Sequence, residues 1–138
     1  MARKDFYHNV VRRALEKDGW SITHEPVYLP FLDSFLQVDL GAERLDVQKE
    51  AVKIAVEVKN FRERKDYANE FHKAIGQIQT YMDILSQIEP ARDTYLAIPV
   101  QAHSEVFSNS GIQAMVKRLG INLVVFDPQT ETIIQWNA

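Results

Sequence analysis

A chain of 138 residues, 46% apolar and 25% charged, has the size and composition of one folded domain, residues 1–138, rather than of a disordered segment. It contains no cysteine, which excludes disulfides, zinc–thiolate sites and thiol nucleophiles. The net charge of −3 argues against a high-affinity DNA-binding protein coated in lysine, yet leaves room for an enzyme acting on phosphates that keeps acidic ligands in its cleft. The opening segment, MARKDFYHNVVRRALEKDGW, scatters charges among its apolar residues and has no apolar stretch of its own, so no signal peptide is expected. No apolar run approaches the ~20 residues of a membrane span, and the expected compartment is the cytoplasm.

The first periodic segment runs from Asp5 to Asp18, with Tyr7, Val11, Ala14 and Leu15 on one helical face and Gly19 placed to end it. Trp20 to Leu29 and Phe35 to Val47 read as strands, separated by a turn at Pro30, Asp33 and Ser34. Lys53 to Phe61 alternates strictly and is a third strand. A long helix follows from about Asp66 to Gln87, striped by Phe71, Ala74, Ile75, Ile78, Met82 and Leu85 and closed by Pro90. Thr94 to Val100 is apolar on both faces, as a buried strand is. After a polar loop, Ser110 is placed to cap a short helix ending at Gly120, and Ile121 to Phe126 and Thr132 to Trp136 flank a turn as a hairpin. Three strands, a helix and another buried strand imply an α/β domain with a central mixed β-sheet flanked by helices.

The chemistry concentrates on the third strand. In Ile54-Ala55-Val56-Glu57-Val58-Lys59, Glu57 and Lys59 share one face, opposite Ile54, Val56 and Val58. On the strand before it, Asp39 points away from Val38 and Leu40. Across a hairpin, Asp39 and Glu57 converge. Two carboxylates and the Val58 backbone carbonyl make an all-oxygen set suited to Mg²⁺ or Mn²⁺. Lys59, at the cleft rim, is placed to orient water or meet charge building up on phosphate. The same alternation also occurs in half-exposed strands, where Glu and Lys are surface charges. Just beyond, Arg62, Arg64 and Lys65 read either as a nucleic-acid rim or as a solvated loop. There is no glycine-rich phosphate loop and no Gly-x-Ser-x-Gly elbow.

The order Asp39, then Glu57-Val58-Lys59, then a helix bearing Gln77, resembles the PD-(D/E)XK phosphodiesterase superfamily, which includes type II restriction enzymes and Holliday-junction resolvases. More closely, the strings FYHNVVRRALEKDGWSITHEP, VDLGAER, KIAVEVKNF, FHKAIGQ, YLAIPV and FDPQTETIIQW resemble the cyanobacterial fdxN-element excision controlling factor family, XisH. The resemblance implies a restriction-endonuclease-like core. It implies Asp39 and Glu57 as metal ligands, Lys59 and Gln77 among the catalytic residues, and Asp46 as the fallback if Asp39 is not the first acid. Resolvase-like members carry a glutamate on the first helix, and His8 takes that position here as a possible additional site residue. DNA is the implied substrate, in programmed DNA rearrangement. An XisI-type excision controlling factor and a site-specific recombinase are the implied partners. The alternative is a catalytically silent accessory subunit that assists the recombinase through protein contacts, in line with the acidic balance and the histidine at position 8. A homodimer is expected, since C2 pairs are the commonest small assemblies, with Trp136 as its anchor.

Overall fold

The computed structural model describes residues 5–137. Its elements are α1 (His8–Lys17), β1 (Ser21–His24), β2 (Val27–Phe31), β3 (Ser34–Val38), β4 (Leu40–Leu45), β5 (Ala51–Val58), α2 (Tyr67–Ile88), β6 (Arg92–Pro99), α3 (Val100–Ala102), α4 (Ser110–Arg118), β7 (Asn122–Asp127) and β8 (Thr132–Asn137). A six-stranded sheet has the order β1-β4-β5-β6-β7-β8, and β2 and β3 form a separate two-stranded ribbon. β5, β6 and β7 are mutually parallel and the other neighbours antiparallel, so the sheet is mixed as the element order predicts.

The alternation of β5 divides the core in two. Ala55 faces α2, α4 and the ribbon, where it packs among Phe71, Ala74, Ile78, Leu96, Val116, Leu29 and Val38. Ile54, Val56 and Val58 face α1, against Val11, Leu15 and Trp20. Each helix therefore covers the sheet with its single apolar stripe, and Glu57 projects on the α2 side. No helix among the described residues is long and apolar enough to cross a membrane.

Two of the expected strands are each divided. Residues 20–29 break at the cis Glu25–Pro26 peptide, which separates β1 from β2. Residues 35–47 break at Asp39, a bend between β3 and β4. There the Asp39 side chain accepts the Val58 backbone N–H at 2.8 Å, the place a ladder carbonyl would take, and β3 leaves the sheet to pair with β2. Hydrophobic periodicity does not register such a break, because both halves keep their alternation. The segment expected as a polar loop after Val100 is helical instead: α3 runs into a π-helical turn, His103–Phe107, that buries Ala102, Val106 and Phe107. Asn109, not Ser110, caps α4, its side chain accepting the Ile112 N–H at 3.1 Å.

Trp136 lies on β8, at one edge of the sheet. It is half-buried within the chain, its ring 5.6 Å from Trp20 and 5.1 Å from Tyr95, and Asp18 Oδ2 accepts both indole N–H groups at 3.3 Å. The Arg13–Glu131 ion pair (2.6 Å) holds α1 over the same end of the sheet.

Gly41 is required by close packing. A Cβ there would lie 2.7 Å from Val27 Cγ2 and 2.9 Å from His24 Cβ, both on rigid parts of their side chains. Gly41→Ala is therefore expected to lower stability by about 1–3 kcal/mol, the usual cost of overpacking, read as a lower urea midpoint. An unchanged midpoint would show that β1 and β2 are not clamped on β4.

Candidate active site

β5 and the bend before β4 bring the predicted acids together. Glu57 is 5% exposed, and its Oε1 accepts the Asp39 backbone N–H at 3.3 Å while Asp39 receives Val58 N–H. Lys59 Nζ lies 3.7 Å from Glu57 Oε2. Because N–H and C=O of one strand residue point to the same edge, the Val58 carbonyl is directed to the side on which Asp39 sits. The electrostatics follow from burial. Loss of solvent and the neighbouring Asp39 charge push the Glu57 carboxyl up to about 8, against the opposing pull of Lys59. Asp39 is also raised, chiefly by burial, although Val58 N–H, His8 and Lys59 all favour its ionised form. At neutral pH the pair therefore retains a proton between its two carboxyls.

Around them lie groups that the sequence reading did not collect. Asp5 accepts from Tyr7 N–H (2.9 Å) and Asn60 Nδ2 (3.2 Å), and burial, helped by the Asp39 charge, raises its pKa. Glu70 on α2 is raised by burial and by Asp5, while Lys59 opposes the rise. Tyr81 is 4% exposed and donates to the Gln37 carbonyl at 3.4 Å; burial and then Glu57 and Asp39 make its hydroxyl less acidic. Lys59 is thus the shared counter-charge of Glu57, Asp39, Asp5 and Glu70. It is no rim residue, since its side chain is only 14% exposed. A helical spacing links Glu70, Gln77 and Tyr81, so part of this group had a signal in the sequence. Asp5 had none, because only the tertiary fold carries the start of α1 to the end of β5.

The remaining candidates divide. Gln77 lines a cleft between α2 and the ribbon with Phe31, Leu36, Lys73 and Tyr81, and its Oε1 is buried without a partner. His8 is buried, with Nε2 2.6 Å from Glu25 Oε2 and Nδ1 unpartnered. Asp46, the fallback acid, lies at the far end of the β4–β5 hairpin. There its Oδ1 accepts the N–H groups of Gln48 and Glu50 at 2.9 Å each and builds the turn. Asp39 is the acid that meets Glu57. Of the basic run, Arg64 pairs with Glu105, Lys65 with Glu63 at 3.5 Å, and the Arg62 guanidinium lies 3.8 Å over the Phe6 ring. Beyond β5 the chain turns away sharply: Asn60 Oδ1 accepts Arg62 N–H at 3.0 Å, and buried Phe61 takes a left-handed φ of +48°.

Among the described residues, no three His, Asp or Glu side chains are grouped to hold a metal ion by themselves. Two adjacent buried carboxyls with further oxygens from backbone and water suit Mg²⁺, which keeps much of its hydration, better than a closed protein cage.

Comparison with known proteins follows the whole chain. No curated protein matches it. The structure is similar to that of an XisH family protein from Nostoc punctiforme PCC 73102, with a TM-score of 0.86 and 36% identity over 97% of this chain and 100% of that one. It is equally similar to an fdxN element excision controlling factor protein from Anabaena variabilis, with a TM-score of 0.87 and 35% identity over 96% and 98% of the two chains. The XisH protein family model matches residues 1–134, a span that includes the bend at Asp39, the Glu57–Lys59 strand and the helix of Gln77. With fold and sequence agreeing over nearly its full length, the chain belongs to the XisH family.

Proposed function

We propose that this chain is a cytoplasmic, divalent-cation-dependent DNA phosphodiesterase with a PD-(D/E)XK core, acting in the control of programmed DNA excision. The observation that carries this reading is the buried Asp39–Glu57 pair with Lys59 Nζ 3.7 Å from Glu57. A carboxyl held up to about 8 by burial and then by its neighbour is a place where a cation can replace a proton. The unpartnered Gln77 Oε1 also fits a hard cation or its hydration shell. Asp39, Glu57 and the Val58 carbonyl would hold Mg²⁺ or Mn²⁺, and the ion would supply polarisation of a phosphate oxygen and a more acidic water. Lys59 places a fixed positive charge beside the phosphate as negative charge builds on it. Gln77 orients polar groups that enter along the cleft, and Arg62, Arg64 and Lys65 form the strand-facing rim.

Calorimetry tests the cation site. Mg²⁺ and Mn²⁺ should bind with roughly micromolar to millimolar affinity and displace the Glu57 proton. Affinity should then rise between pH 6 and 8, and the heats should vary with the ionisation enthalpy of the buffer. Glu57→Ala should give no binding heat. Equal heats for Glu57→Ala and the wild-type chain would exclude the site.

A second reading keeps the fold and drops turnover: a catalytically silent accessory subunit that assists a site-specific recombinase. The ribbon favours it, because Tyr28, Phe31, Leu32 and Phe35 are exposed along it toward its turn. On either reading an XisI-type factor and a second copy of the chain are the proposed protein partners.

A further inference from the structure

The inner face of the ribbon changes character along its length. Leu29 and Val38 pack into the core with Ala74 and Ile78 of α2. Beyond them the ribbon outruns the core, and Phe31 and Leu36 overhang α2 across an open cleft of about 450 Å³. The opposite wall is the α2 face that carries Lys73, Gly76, Gln77 and Tyr81. Gly76 leaves that wall bare. A Cβ there would meet nothing within 4 Å, so no contact inside the chain requires the glycine, and an interior helical glycine weakens its helix. Bare helix backbone facing an aromatic ring makes a slot for a flat ligand that approaches closely. Gln77 lines the same wall, and no hydrogen bond holds its Oε1, so the amide can turn to an N–H donor that enters. Lys73 is exposed and also lines the neighbouring groove of Asn60, Arg62 and Glu70. Tyr81 donates to the Gln37 carbonyl at 3.4 Å, two residues before Asp39. The cleft therefore opens beside the segments that carry Asp39 and Lys59. No carboxylate is among the described residues that line it, although acids outnumber Lys and Arg by 19 to 16 in the chain.

We propose that this cleft holds an unpaired base of a DNA strand, so that the chain selects DNA with single-stranded segments over uniform duplex. This rests on the phosphodiesterase reading above for DNA as the ligand. The base stacks between the Phe31 ring and the bare backbone at Gly76, a contact that tolerates any sequence because every base has a flat face. Its edge N–H groups meet the Gln77 amide. The adjoining phosphate meets Lys73, which leads the strand toward the groove at the end of β5. A base within a duplex reaches the slot only by leaving its stack, a cost absent in a single strand. An apolar peptide would also cover Phe31, but charge decides for the strand. A cation without a lining carboxylate suits a polyanion.

Fluorescence anisotropy of the full chain in EDTA, where no strand is cut, reads binding apart from turnover. A short labelled single-stranded DNA of mixed sequence should bind at least about tenfold more tightly than the same sequence as blunt duplex. Phe31→Ala should weaken the single strand by about 5–150-fold, the loss of one stacked base, and leave binding of a strand of abasic sites unchanged. Lys73→Ala should weaken both strands and lower the slope of log affinity against log salt by about 0.7. Gly76→Leu fills the slot with a good helix former. Its melting temperature should equal or exceed that of the wild-type chain while its affinity for the single strand falls to the Phe31→Ala level. No binding of the single strand, equal affinity for strand and duplex, or equal affinity for the abasic strand overturns the proposal. Wild-type affinity in folded Gly76→Leu overturns it too. So does a sedimentation mass that falls to the monomer in Phe31→Ala, which assigns this face to a second copy of the chain. Base-dependent binding by a chain that cuts no DNA with Mg²⁺ or Mn²⁺ supports the cleft and overturns the phosphodiesterase reading alone.

Discussion

Lys59→Ala is expected to slow DNA cleavage by about 10²–10³-fold, the loss that follows removal of one fixed charge from a developing oxyanion. The side chain is 14% exposed and serves as counter-charge to Glu57, so its removal also acts on the fold. That second effect has a pH signature. Near pH 6 the raised Glu57 carboxyl is protonated and asks little of a cation, so the melting temperature should stay within a few degrees of wild type. Near pH 9 Glu57 must ionise beside Asp39 without its lysine, and the variant should be the less stable protein. Lys59→Met keeps most of the apolar stem and should follow the same pattern, which separates lost charge from lost packing. The measurement that divides the two functional readings is excision in cells lacking the native gene and carrying Lys59→Ala. Normal excision with a folded variant would remove the catalytic role and leave a scaffold that works through its surface.

Glu57→Gln is expected to stabilise the protein at pH 7–8 while abolishing cleavage. The folded carboxyl titrates at about 8, against an ordinary 4.5. Between those values the folded chain holds a proton that the unfolded chain has released, so wild-type stability falls as pH rises through the window. The slope contributed by this one group approaches about 1.4 kcal/mol per pH unit in mid-window. Asp39 is raised too and acts in the same direction. Glu25, Glu89 and Glu131 are lowered, so their contributions are present above the ordinary range and lost only at more acid pH. Urea titrations from pH 5 to pH 8 should show a shallower decline for Glu57→Gln than for wild type, with the two closest at the acid end. Saturating Mg²⁺ should stabilise wild type most at pH 8 and leave Glu57→Gln unmoved, because only a carboxylate exchanges its proton for the ion. Parallel pH profiles for the two proteins would mean that Glu57 is not held protonated by burial.

The sequence by itself determined the mixed α/β architecture, the long helix, the buried strand after it and the closing hairpin. Each of these rests on periodicity repeated over several residues, with glycine or proline at the ends. It also singled out Asp39, Glu57 and Lys59, because charges on the inner face of an apolar strand break a pattern that packing otherwise enforces. What it left open was decided by contacts between distant segments. A side chain had to replace a backbone acceptor for the strand to break at Asp39, and alternation is blind to that exchange. The choice between Asp39 and Asp46 depended on register. Leu40 pairs with Val56 and places Asp39 beside Glu57, whereas Leu45 pairs with Ala51 and leaves Asp46 in the turn. Asp5 and Glu70 each look like ordinary surface acids along the chain. Only the packing of α1 and α2 against opposite faces of β5 removes water around the pair they attend, and burial is the largest cause of the Glu57 and Asp39 shifts.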